Sequence, residues 1–273
     1  ALEGRDWMED DEFTFTLSGK NVTEGTNATS GFALPETTEV TIDYQDAVAA
    51  AGEGNATEGV KVPFSFGTIS FTQAGTYEFT VTESEIEEAG VSNTSGSVTY
   101  RVEVADESQD GNLEITSSII GQTGSSDFVN TYDPNNATSS LMATKTLNGS
   151  SKGLEAGAFT FQIKSISAPQ GSTANLPTGV TSGDDATVGT VTNDTDGVIS
   201  FGQFSFDAEG EYRYQVTEIN EGKGGYSYDG AIYTVVFTVS DDPETGSLVA
   251  TPTIYQGKDT TGAIVDAITF ANG

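Results

Sequence analysis

Cysteine and histidine are both missing from this 273-residue chain, and basic residues are scarce. Without cysteine there is no disulfide staple and no thiol nucleophile; without histidine the commonest general base and the commonest transition-metal ligand are gone. Ten basic residues stand against 41 acidic ones, a net charge of −31 that repels phosphate backbones and anionic lipid, so nucleic acid is a poor partner. The acidic residues are dispersed between apolar positions and form no long block, as on the solvated face of a stable fold. No apolar run approaches the roughly 18 residues of a membrane helix, and residues 1–30 lack a basic start followed by an apolar core, so membrane insertion is not expected of this stretch. No residue set calls for a cofactor or a resident metal.

What the chain does have is a repeat. Tyr77–Glu83 and Tyr212–Glu218 both read Tyr-x-Phe/Tyr-x-Val-Thr-Glu, and each is followed by Phe-x-Asn, at Phe128-Val129-Asn130 and Phe270-Ala271-Asn272. Between Phe66 and Glu83 a constant offset maps the first copy onto the second, with Phe71 on Phe206 and Gly75 on Gly210; further upstream Leu2 falls on Leu147 and Gly4 on Gly149. Two domains follow, 1–134 and 135–273, each long enough for one hydrophobic core. The matched segments alternate with period two, as in Phe13/Phe15/Leu17, Phe64/Phe66, Ile69/Phe71, Tyr77/Phe79/Val81 and Tyr233/Val235/Phe237/Val239, the mark of half-buried strands. Turn-forming stretches such as Gln73-Ala74-Gly75 and Asp207-Ala208-Glu209-Gly210 arrive at hairpin spacing. The fold class predicted is all-β: two tandem immunoglobulin-like β-sandwiches, placed end to end by the short joint Asp133-Pro134-Asn135-Asn136. One alanine-rich stretch, Asp43 to Gly52, suits a short helix, and the matching Ala168–Thr192 suits a variable insertion.

In a sandwich whose first and last strands are neighbours, Lys145 and Asn272 face each other in the core, with Glu218 pointing between them from the opposite sheet. Burial there favours a neutral, nucleophilic amine and a carboxylic acid that keeps its proton against the asparagine carbonyl oxygen. Attack of the amine and loss of ammonia would leave an amide cross-link in a single turnover, with Glu218 as the catalytic acid that moves the protons. In the first copy Glu83 and Asn130 match the acid and the carboxamide. The matching lysine would fall immediately ahead of Ala1, so either it lies outside this sequence or the first repeat has no bond. Lys20 and Lys61 stand outside the first-strand motif.

These residues carry a resemblance. Lys145-Thr146-Leu147-Asn148-Gly149, Phe159-Thr160-Phe161, Gly210-x-Tyr212-x-Tyr214-x-Val216-Thr217-Glu218, Tyr228-Asp229, Tyr233-Thr234-Val235 and Phe270-Ala271-Asn272 resemble the pilin isopeptide-linkage repeats of Gram-positive surface proteins, relatives of the B-type immunoglobulin-like domains of collagen adhesins. The resemblance covers both copies. It implies that Lys145 and Asn272 are the bonded pair, that the chain is a stalk or shaft repeat of a cell-surface adhesin or pilus with neighbouring repeats as partners, and that it is extracellular, commonly wall-anchored through signals outside this stretch. Opening inside a strand motif and stopping just after another suggests a piece of a longer array.

Rival readings have thinner support. Tyr44, Tyr226, Tyr228 and Tyr255 near Gly-rich turns would suit an adhesin module gripping a host glycan or protein, although such tyrosines are usually core or rim residues. Asn193-Asp194-Thr195-Asp196-Gly197 resembles the start of a calcium loop but lacks its distal glutamate, which favours an ordinary Asx turn. A turnover enzyme has nothing to work with: no serine has a histidine partner and no carboxylate pair stands out. Asn-x-Ser/Thr sequons, among them Asn21 and Asn193, match the Thr- and Asn-rich composition.

Overall fold

A computed structural model describes residues 1–25, 27–52, 54–93, 96–120, 126–149 and 153–273. The chain divides into two units, Ala1–Asp133 and Pro134–Gly273, each with its own apolar cluster. Both are β-structures.

In the second unit the strand Ala137–Leu147 is central to a three-stranded layer. It runs antiparallel to Val198–Phe206 and parallel to Ile268–Asn272. The other layer orders seven strands as Thr181–Ser182, Val188–Thr192, Thr160–Ser167, Gly210–Glu218, Ile232–Asp242, Ser247–Gln256 and Ala263–Val265. Alternation drives the packing: Tyr212, Tyr214 and Val216 turn inward from one strand, Phe204 and Phe206 from another, and Phe237 meets the latter pair at ring-centroid distances of 4.7 and 5.0 Å. These rings come from opposite layers and close the core.

The first unit pairs Glu39–Asp43, Glu12–Asn21, Gly75–Glu83, Ser97–Ala105 and Glu114–Ile120 in one sheet, with Leu2–Glu3, Asn130–Tyr132 and Val91–Asn93 in a smaller one. The helix Tyr44–Ala51 forms where the alanines predict it. Asp43 caps it by accepting the Asp46 N–H in a reciprocal capping box, and Gly52 ends it at φ 73°. In the second unit no helix follows the corresponding strand Val188–Thr192; the extra residues precede that strand instead.

One predicted strand is largely missing. Phe64/Phe66 and Ile69/Phe71 are each spaced as strand residues are, yet only Ser70–Phe71 pairs, with Phe32–Ala33. The counterpart Val198–Phe206 is held along its length by Ala137–Leu147; in the first unit Leu2 takes the place of Leu147, and the positions that would match Ala137–Lys145 are not in this sequence. Period-two hydrophobicity without a hydrogen-bonding neighbour leaves an extended but unpaired segment. A cavity of about 900 Å³ opens beside it, lined by Phe13, Phe15, Phe64, Phe66, Phe79 and Phe128 among others.

Candidate functional site

The same alternation that buries the apolar stripes of the second unit buries three polar side chains at their ends. Lys145 follows Leu141 and Ala143 on the inward face of its strand, Asn272 follows Ile268 and Phe270, and Glu218 follows Tyr214 and Val216 from the opposite layer. Because Ala137–Leu147 and Ile268–Asn272 are parallel, with Lys145 opposite Phe270 and Leu147 opposite Asn272, the lysine and the asparagine sit two residues out of step on one face.

The three groups converge. Lys145 Nζ lies 2.7 Å from Glu218 Oε1, with both side chains wholly out of water. Asn272 Nδ2 donates to the same Oε1 at 2.7 Å. The rings of Phe159 and Phe161 wall the amine, their centroids 4.7 and 5.9 Å from Nζ. Apart from Oε1, Nζ has no hydrogen-bond partner among the described residues. Burial holds the Lys145 pKa below its ordinary value, against the opposing pull of Glu218. A dry site with one carboxylate contact thus favours an amine that can shed its proton.

The orientation of the carboxamide differs from expectation. Glu218 faces the amide nitrogen of Asn272, while Oδ1 accepts the backbone N–H of Asp229 at 2.9 Å. An N–H can only donate, so the oxygen must point that way and the nitrogen toward Glu218. The Asp229 N–H also lies 3.2 Å from Glu218 Oε2, and its carboxylate accepts from Ala231 N and Ala271 N at 2.9 and 2.8 Å. In the sequence Tyr228-Asp229 appears only as part of the resemblance, with no role attached, because a backbone donor has no side-chain signature.

In the first unit Leu2 pairs with Asn130 as Leu147 pairs with Asn272. Glu83 is buried at the end of its strand, accepts Asn130 Nδ2 at 2.7 Å on Oε1, and takes Asn93 Nδ2 on Oε2. Burial raises the Glu83 pKa. The Ala1 amino group donates to Phe128 O at 2.8 Å, and burial lowers its pKa while Glu83 opposes that shift. Lys20 pairs instead with Glu78 and Lys61 with Asp127, at 2.8 and 2.7 Å.

The rival sites take other forms. Tyr226 and Tyr228 set their edges against Phe159, at 5.2 and 6.0 Å, and so cover the wall of the lysine pocket. Asp194 accepts the N–H groups of Asp196 and Val198 at 2.9 and 2.7 Å, closing an Asx turn, and no metal-holding group of three or more acidic side chains occurs among the described residues. Asn21 and Asn193 are buried and hydrogen-bonded, which closes those two sequons to modification.

Two tandem β-units, the second with a buried amine, acid and carboxamide brought together from its first, middle and last strands, define a class of β-repeat chains. The chain belongs to the Spy0128-like isopeptide containing domain family, FctA, which matches it over residues 1–133 and 141–273. Among solved structures it is similar to the major pilin of Streptococcus pyogenes, at 20% identity over 99% of this chain and 95% of that one, with a TM-score of 0.34. It is also similar to the T-13 major pilin of S. pyogenes, at 17% identity over 99% and 88% of the two chains and a TM-score of 0.30. The minor pilin GBS52 of Streptococcus agalactiae shares 14% identity over 100% and 85%, with a TM-score of 0.24. No curated protein matches the chain.

Proposed function

We propose that the second unit closes an amide between Lys145 Nζ and Asn272 Cγ, and that the chain serves as a shaft repeat of a Gram-positive surface adhesin or pilus. The observation carrying this reading is one carboxylate oxygen, Glu218 Oε1, at 2.7 Å from both the amine and the amide nitrogen. From there it takes the proton that Nζ releases and returns it to the departing nitrogen. Nζ–Cγ forms, Cγ–Nδ2 breaks, and one ammonia leaves. Contact geometry supplies the rate, since holding reactants in register is worth about 7–11 kcal/mol in oriented systems. The reaction happens once per molecule and is no turnover catalysis.

The product would ring-close nearly the whole second unit, worth about 4–5 kcal/mol on a loop-entropy estimate. Resistance to tension is the larger gain, because first and last strands so joined cannot be drawn apart from the ends of the unit. A cysteine-free chain outside the cell would find in this bond a staple that reductants leave intact. Partners would be neighbouring subunits or repeats, and the location the bacterial surface; among the described residues no helix is long and apolar enough to cross a membrane.

Intact-mass measurement tests the reading. The folded chain is expected to be one ammonia lighter than its sequence mass, and Glu218→Ala to keep the full mass; an unmodified mass in the folded parent chain overturns the cross-link.

A further inference from the structure

The geometry points to the backbone N–H of Asp229 as the oxyanion donor of the cross-linking reaction, a catalytic group supplied by the loop that follows Glu218. The inference rests on the amide reading above and gives that site a second working part. As Nζ attacks Cγ, the carbonyl electron pair moves onto Oδ1. The tetrahedral centre then carries its negative charge at the atom 2.9 Å from the Asp229 nitrogen. When Cγ–Nδ2 breaks, the pair returns, the carbonyl re-forms, and the hydrogen bond remains on the product amide. Glu218 acts at the nitrogen end, with Oε1 against Nζ and Nδ2, while its Oε2 lies 3.2 Å from the same Asp229 N–H. Acid and oxyanion donor thus act on opposite ends of one carboxamide.

The loop is fixed for the task. The Asp229 carboxylate holds Ala231 N and Ala271 N at 2.9 and 2.8 Å, the second being the residue next to Asn272, so the aspartate grips the reacting strand by its side chain while addressing the reacting oxygen by its backbone. Ser227 and Gly273 add two backbone hydrogen bonds on either side. The first unit offers an internal contrast. Asn130 Nδ2 reaches Glu83 in the same way, but Asn130 Oδ1 is buried with no donor among the described residues. A donor fixed before the reaction, in a site closed to bulk solvent, stabilises developing charge with little reorganisation.

The test removes the N–H alone. In the full chain made by cell-free synthesis, Asp229 is replaced by its α-hydroxy acid analogue, which turns the amide into an ester and keeps the carboxylate, and ammonia loss is followed by intact mass over time. Bond formation is expected to slow by about 10²–10³-fold, the usual effect of losing one such donor. An unchanged rate in a folded ester chain overturns the inference and leaves the cross-link standing; failure of the parent chain to lose ammonia takes down both. Should the ester chain not fold, the parent chain decides by NMR. A scalar coupling across the hydrogen bond between Asp229 ¹⁵N and Asn272 ¹³Cγ is expected, and its absence overturns the inference.

Discussion

Lys145, Glu218 and Asn272 would be a liability in an ordinary core. A buried amine with one carboxylate oxygen as its polar partner among the described residues carries a desolvation cost that packed apolar residues would avoid. The proposed cross-link would remove that cost, since its product amide is neutral and needs no counterion. Glu83 shows the same environment from the acid side. Burial raises its pKa above the ordinary 4.5, so the folded chain holds that proton more tightly than the unfolded chain. The stability linked to it is fully present below the unfolded value and is lost as pH rises through the folded one. Glu83→Gln has no proton to lose. It is therefore expected to flatten the pH dependence of the first unit's urea midpoint from about pH 4.5 upward, and an unaltered slope in matched titrations would count against a buried titrating Glu83.

The strands were mostly legible in the sequence, because aromatic and β-branched residues at every second position can bury one face only as strands. The helix was legible from its alanines between Asp43 and Gly52. Phe64–Ile69 was not, since alternation reports which way side chains point and says nothing of whether a partner strand is there to take the hydrogen bonds. Glu218 and Asn272 stood out by the repeated Val-Thr-Glu and Phe-x-Asn motifs and Lys145 by its place in the strand ahead of them; Asp229 was legible only as part of the Tyr228-Asp229 motif, its contribution being a backbone group. Strand placement also yields a test. Gly197 has φ +83°, its carbonyl accepts Lys145 N at 2.7 Å, and a Cβ there would lie 2.2 Å from Lys145 O. Gly197→Ala must displace the lysine strand or strain its own turn, at about 1–3 kcal/mol. Thermal unfolding is expected to shift down and bonding, read by mass, to slow; a parent-like rate and midpoint would show that the turn does not set the lysine's position.

In this sequence the two units differ in how their apolar layers are covered. The second unit joins its layers through interleaved rings and a central strand paired on both sides, while the first holds a cavity of about 900 Å³ beside an unpaired segment. Unfilled apolar volume lowers stability, and the second unit has a candidate covalent closure besides. Limited proteolysis in rising urea is therefore expected to digest Ala1–Asp133 first and leave a resistant fragment spanning Pro134–Gly273, whereas the reverse order would contradict this ranking of the two cores. The lysine pocket of the second unit has a consequence in time. The atoms proposed to react meet only when both layers are packed, and the ammonia that the proposed reaction releases would escape into bulk water. A molecule later scattered by denaturant would still weigh less than one that never assembled, so each chain would carry a permanent, weighable record of having once been folded.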